Sequence, residues 1–248
     1  MTFRALRTIA LRELKVNLRN KANLVSSISR PIIWYLIFGS GFGAARFAGL
    51  NMDYREFLFP GVVAMSLLFT SMRSGISVIW DREFGFMKEI LVSPSSRLNI
   101  TAGKIAGTAV SAVLEGAIIL VLGLLLGAHV NTISFTLSLA IMFLTSISLV
   151  SIGLIISSFM RSFEGFQTLM TFLVMPMFFL SGAIFPLGQI PSWMKPLTTV
   201  NPLTYGVDAL RIILTGAGHN NLLTDLAALI TAATLTTLAG TRAFKTEE

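Results

Sequence analysis

The chain has 248 residues, of which 54% are hydrophobic and only 12% charged, with a mean hydropathy of +0.77. That leaves too little polar sequence to coat a soluble globule and reads as an all-α polytopic membrane protein in a single domain spanning residues 1–248. Nineteen Lys and Arg against twelve Asp and Glu give a net charge of +7, which in such a chain signals basic loops on the cytoplasmic side rather than a nucleic-acid partner, and the lack of cysteine excludes disulfides, thiolate nucleophiles and cysteine-based metal sites.

Residues 2–20 place Phe3, Leu6, Ala10, Leu14 and Leu18 at spacings of three and four, with Arg4, Arg12, Lys15 and Arg19 on another face. This predicts an amphipathic helix lying on the membrane surface; because Arg7 and Asn17 fall toward the apolar side, a helix packed on a cytoplasmic partner stays open. The segment has neither the apolar core nor the cleavage site of a signal peptide.

A spanning helix needs about 20 mainly apolar residues. Six stretches qualify, at about 24–45, 57–79, 104–127, 133–158, 164–186 and 221–241. In the first, Arg30 and Pro31 sit in the opening turns, where Arg30 can snorkel toward headgroups. Even parity puts both termini on one side. Fourteen basic residues fall on the amino-terminal side and four, Arg46, Arg55, Lys195 and Arg211, on the other, so the bias places both termini in the cytoplasm. The third outer segment, from Leu187 to about Asn220, holds Pro191, Pro196 and Pro202 yet stays apolar. Asn201 followed by Pro202 is a cap and first helical residue. Two short helices over about 190–214, dipping into the outer leaflet, are expected there.

Candidate chemistry is sparse. Gly103-Lys104 lacks the earlier glycine and following Ser or Thr of a phosphate loop. His129 and His219 are isolated, which argues against a metal site or a general base, and no serine has a histidine to activate it. Within the spans, Glu115 lies about 17 Å and Arg73 about 10 Å from the cytoplasmic ends of their helices. The two are expected to pair, either as a lock between adjacent helices or as a substrate or proton site. The fifth span carries Phe172, Phe178 and Phe179 around Pro176; it reads either as a deformable helix lining an apolar path or as ordinary packing against lipid and neighbours. Between the second and third spans, Asp81, Arg82, Glu83, Lys88 and Glu89 alternate in sign among Phe84, Phe86, Met87, Ile90 and Leu91 before Ser93-Pro94 breaks the pattern. This predicts a small amphipathic cytoplasmic helix able to dock in a partner's groove, or else a solvated loop.

Two stretches then carry a resemblance. EFGFMKEILVSPSSRLNITAGK, from Glu83 to Lys104, and SGAIFPLGQIPSWMKPLTTVNPLTYGVDALR, from Ser181 to Arg211, resemble the two hallmarks of ABC type-2 transporter permeases, in the drug and lipid exporter branch similar to daunorubicin-resistance permeases. The resemblance covers essentially the whole chain. It implies a homodimeric half-transporter of six spans in the inner membrane of a prokaryote, with each copy contacting an ATPase on a separate chain. ATP and Mg would be bound there, and no cofactor in this one. It further implies a coupling helix at about 82–92, through Arg82, Glu83, Phe84, Phe86, Met87, Lys88 and Glu89. Outer re-entrant helices would close the exit around Pro186, Pro191, Trp193, Asn201, Pro202 and Tyr205. The function so implied is ATP-driven export of an amphipathic or hydrophobic substrate. A membrane-embedded enzyme lacks clustered Asp, His or Arg to serve it, and an ion-coupled carrier using Glu115 would commonly show an internal repeat, which is not evident.

Overall fold

The computed structural model describes residues 2–42, 52–85, 97–128, 130–160 and 162–243. Among these every regular element is a helix: α1 (Thr2–Arg19), α2 (Lys21–Gly41), α3 (Tyr54–Met72), α4 (Ser74–Glu83), α5 (Arg97–Leu125), α6 (Thr132–Phe159), α7 (Phe163–Phe179), α8 (Lys195–Val200), α9 (Pro202–Thr215) and α10 (Leu222–Ala243), with a 3-10 turn at Leu187–Gln189. Four helical stretches are long and apolar enough to cross a membrane: Tyr54–Glu83, Leu98–Leu125, Thr132–Phe159 and Leu222–Ala243. α2 carries Lys21 and Arg30 and is not among them, and α7, at 17 residues, is too short to be counted.

The centre of the molecule is α3 with its continuation α4. Nearly every α3 side chain is buried, and Leu67, Leu68, Leu120, Met142 and Leu149 form the middle of one core cluster with Leu203 and Val207 of α9. Lipid is as apolar as leucine, so close backbone approach and small residues hold such helices together. At Gly75 a Cβ would fall 2.7 Å from the Gly153 carbonyl oxygen, and this is where α4 crosses α6. α6 is lined with buried Ser146, Ser148, Ser151 and Ser157, and Ser151 meets Thr237 of α10 at 3.1 Å.

Several boundaries differ from expectation. The second span and the start of the charged segment form one helical run, interrupted only at Arg73, so Arg82 and Glu83 are the last turn of that run. Gly85, at φ 74°, turns the chain there, so the helix is not continuous from 82 onward; residues 86–96 lie outside those described. The helix expected as a fifth span ends at Phe179 rather than near residue 186, and Gly182 follows at φ 75°. Pro176 therefore sits in the final turn instead of mid-helix, where it removes the hydrogen bond to the Phe172 carbonyl but leaves few helical residues beyond it to kink. α1 does not lie alone on a surface: it packs along the first half of α5. At Gly107 a Cβ would sit 2.4 Å from the Ala10 carbonyl oxygen, so only glycine allows that approach. The contacting face runs through Leu6, Ile9, Ala10, Glu13 and Asn17, whereas Leu18 of the expected stripe is 40% exposed.

Candidate functional site

At the end of the bundle where α1 lies, five polar side chains from three helices close on one another. Lys104 of α5 is 1% exposed. Its Nζ donates to Glu13 Oε1 at 2.9 Å, to Asp81 Oδ2 at 2.6 Å and to Ser77 Oγ at 3.1 Å. Arg12 donates from Nη2 to Asp81 Oδ1 at 2.9 Å and from Nη1 to Glu13 Oε1 at 3.2 Å. Ser77 donates to the Glu13 carboxylate at 3.1 Å. Burial alone would lower the Arg12 pKa, but the hydrogen bond and charge of Asp81 outweigh it and hold it above its ordinary value. Both carboxylates and the ammonium have their partners, which is the condition under which a buried ionic group is tolerated. The knot ties α1 to α4 and α5. Reading the sequence by spans treats Lys104 as a loop charge and so misses it.

Beside the knot, the run from Trp80 to Gly85 leads out of the bundle. Trp80 stacks on Phe163 with ring centroids 6.2 Å apart, and Arg82 Nη1 donates to the Met160 carbonyl at 2.8 Å. Both contacts fix α4 to the α6–α7 connection. Glu83 and Phe84 point outward, Phe84 being 81% exposed. Phe86, Met87, Lys88 and Glu89 lie outside the described residues.

Farther along the same central helix is a second charged group. Arg73 Nη2 lies 3.5 Å from Glu115 Oε1 and donates to Thr70 Oγ1 at 3.2 Å, while Thr70 donates to Glu115 Oε2. Glu115 is 1% exposed, and its Oε1 has no hydrogen-bond partner. Arg30 of α2 lies over the ring of Phe69, 4.7 Å from its centroid, and Phe69 precedes Arg73 by one turn of α3. α2 and α7 each pack on α3 but not substantially on each other. Between them lies a cavity of about 530 Å³, within the range that holds a small-molecule ligand. Its lining combines the charged Arg12, Arg30, Arg73 and Asp81, the uncharged polar Asn17, Asn23 and Gln167, and the apolar Phe69, Met170, Val174 and Met175.

At the opposite end, α7 stops abruptly and its last carbonyls need donors from elsewhere. Asn201 Nδ2 donates to the Met177 carbonyl at 2.7 Å, Tyr54 Oη to that of Ile184 at 3.1 Å, and Arg211 Nη2 to that of Gly182 at 2.7 Å. Arg211 also lies 3.9 Å over the Phe57 ring and 3.9 Å from Asp208. Burial lowers its pKa to about 10 against the pull of Asp208, so it remains a cation at neutral pH. Counting Arg211 as a solvated outer charge misplaces it, since it is 5% exposed. α9 likewise is not a surface element: it packs against α3, α6 and α10, with Leu203, Val207 and Leu210 fully buried. Asn201 caps α9 by accepting from Leu203 N at 3.1 Å, with Pro202 as first residue.

The remaining residues expected at an outer gate do not converge. Tyr205 Oη donates to the Thr199 carbonyl at 2.8 Å, Trp193 is 65% exposed, Pro191 is exposed, and Pro186 is half-buried. On α7, Phe178 is 3% exposed and belongs to the core, whereas Phe172, at 77%, and Phe179 face away from it with Pro176. His219 offers its backbone N–H to Asp208 at 2.8 Å, and His129 is not among the described residues. Among the described residues no cluster of three or more His, Asp or Glu is placed to hold a metal.

The sequence matches a family model described as ABC-2 type transporter over residues 4–215. Among similar proteins, Nodulation protein J of Rhizobium meliloti (strain 1021) is 30% identical over 200 residues, covering 79% of this chain and 75% of the relative. The ycf38 protein of Cyanophora paradoxa, named as a transport permease, is 29% identical over 199 residues, covering 79% and 69%. A protein of Escherichia coli (strain K12) named "Probable multidrug ABC transporter permease YbhR" is 30% identical over 168 residues, covering 66% of this chain and 45% of the relative.

Proposed function

Because this chain belongs to the ABC-2 type transporter family, we propose that it is the membrane-spanning subunit of an ATP-driven exporter that moves an amphipathic or hydrophobic substrate out of the cytoplasm or inner leaflet. The observation that carries this reading is the cavity between α2 and α7. It is of ligand size and lined by both charged and apolar side chains, as a site for an amphiphile needs to be. Two of the relatives are named as permeases, one of them for multidrug transport.

On this reading α2 and α7 cross the membrane with the four longer helical runs, making six spans, and both termini lie in the cytoplasm of a prokaryotic inner membrane. Energy comes from a separate ATPase, which binds ATP and Mg. Two ATPase copies serve two copies of this permease. The exposed Glu83 and Phe84, with the segment to about residue 92, dock in the ATPase. Trp80 and Arg82 pass its movement to the α6–α7 connection, and the ionic knot passes it to α1 and α5, because a packed element moves as a body rather than bending. The capped end of α7, with α8 and α9, forms the outer closure.

A second reading rests on one observation. Glu115 is buried with an oxygen that accepts no hydrogen bond, which is what an ion-coupled carrier or channel would use as its coupling carboxylate. One experiment separates the two. Proteoliposomes holding this chain with its cognate ATPase are expected to move a fluorescent amphiphile only with ATP, and those holding the chain alone are expected to be inactive. Transport by the chain alone, driven by an ion gradient, would overturn the exporter reading.

A further inference from the structure

Three cations of this chain face the same cavity, and their partners differ. Arg12 is bound to Asp81 and Glu13. Arg73 shares the single carboxylate of Glu115 at 3.5 Å, and 29% of its side chain remains accessible. Arg30 forms no ion pair among the described residues; its guanidinium rests on the Phe69 ring, and it acts on Arg73 as a second positive charge. Both guanidinium groups border the one cavity, and like charges facing a shared space are eased when an anion lies between them. Glu115 is engaged by Arg73 and Thr70 and is not among the residues lining the cavity, so it forms no ion pair with Arg30. α7 adds Met170, Val174 and Met175 to the lining, next to its polar Gln167 and Thr171.

We propose that this cavity is a binding site for an anionic amphiphile, with Arg30 and Arg73 clamping a phosphate or carboxylate headgroup and the α7 wall of Met170, Val174 and Met175 covering the first part of its chain. The inference rests on the exporter reading above and narrows its substrate class to negatively charged amphiphiles. Guanidinium suits this task because its planar fork of donors matches an oxyanion, and Arg30 and Arg73 approach from two different helices, α2 and the α3–α4 junction. Phe69 holds the Arg30 group in place from behind, so little of its freedom is lost when a ligand arrives.

The test is calorimetric titration of the full chain in phosphatidylcholine nanodiscs with three probes kept below their micelle-forming concentrations: dodecyl phosphate, dodecylphosphocholine and inorganic phosphate. Dodecyl phosphate is expected to bind at least about tenfold more tightly than either of the others: over the zwitterion because its headgroup keeps a net negative charge for the two guanidinium groups, and over inorganic phosphate because its chain buries apolar surface. Arg30→Gln is expected to weaken dodecyl phosphate about tenfold, with Arg30→Lys in between, while dodecylphosphocholine is unchanged. Arg30 is exposed, so these variants keep the fold, and an unaltered elution volume confirms it. Equal affinity for the anionic and zwitterionic amphiphiles, or no effect of Arg30→Gln, overturns the proposal. Inorganic phosphate binding as tightly as dodecyl phosphate also overturns it, in favour of a free-anion site. No ATPase is present, so failure here leaves ATP-driven transport untouched, and failure of the transport assay leaves this binding result standing.

Discussion

The charged groups at the α1 end and those beside the cavity are built from the same residue types, yet they are arranged in opposite ways. Around Lys104, two carboxylates, an ammonium, a guanidinium and a hydroxyl satisfy one another, and three helices are tied together. Around Arg73 there are two guanidinium groups, one carboxylate with an oxygen that accepts nothing, and an open space. Buried charge that is fully paired holds structure and has no capacity left for a ligand. Buried charge that is incompletely paired destabilises the empty protein slightly and keeps that capacity. The difference teaches that in this chain the depth of a charge says less about its role than the balance of its neighbours.

Variants can break that comparison. The largest effect is expected from Lys104→Met, which leaves Glu13 and Asp81 facing each other with only the partly exposed Arg12 as their shared cation. Removing one partner of a buried ion group costs about 4 kcal/mol, so denaturation of the purified chain is expected at markedly lower temperature and α1 should become open to proteolysis. A smaller loss, about 1–2 kcal/mol, is expected from Glu115→Gln, because Arg73 is partly accessible and water can replace the lost carboxylate. That variant should sharpen the contrast by binding dodecyl phosphate no more weakly than the parent, since it removes the negative charge beside the clamp. The smallest effect on stability, within about 0.5 kcal/mol, is expected from Arg30→Gln, a surface substitution in folding terms.

Much of the helical framework can be read from the sequence, because unbroken apolar runs have one physical outcome in a membrane. Thr132–Phe159 and Leu222–Ala243 lie within two residues of the runs read at 133–158 and 221–241. Asn201-Pro202 is legible for the same kind of reason: cap chemistry is local, and α9 begins there. Arg73 and Glu115 stand out because each is a charge inside an apolar run, and their separation of 3.5 Å follows from antiparallel neighbours. Lys104 does not stand out. It begins a span next to other polar residues, and its burial depends on Glu13, 91 residues earlier in the chain. Arg211 is hidden similarly, because its partners are carbonyls exposed by the early end of α7, an event no apolar pattern marks. The docking face of α1 is shifted from the apolar stripe because glycine, at 103 and 107, decides where two helices can approach.

Thermal denaturation of the full chain in neutral nanodiscs, with and without dodecyl phosphate, tests most directly the claim that one charged group holds the structure and the other binds a ligand. A ligand that binds only the folded state raises the midpoint. The parent is expected to show that rise; Lys104→Met is expected to melt lower without ligand; Arg30→Gln is expected to keep the parent's ligand-free midpoint and lose the rise. An Arg30→Gln protein that melts as low as Lys104→Met without ligand, yet is still stabilised by dodecyl phosphate as much as the parent, would contradict the account.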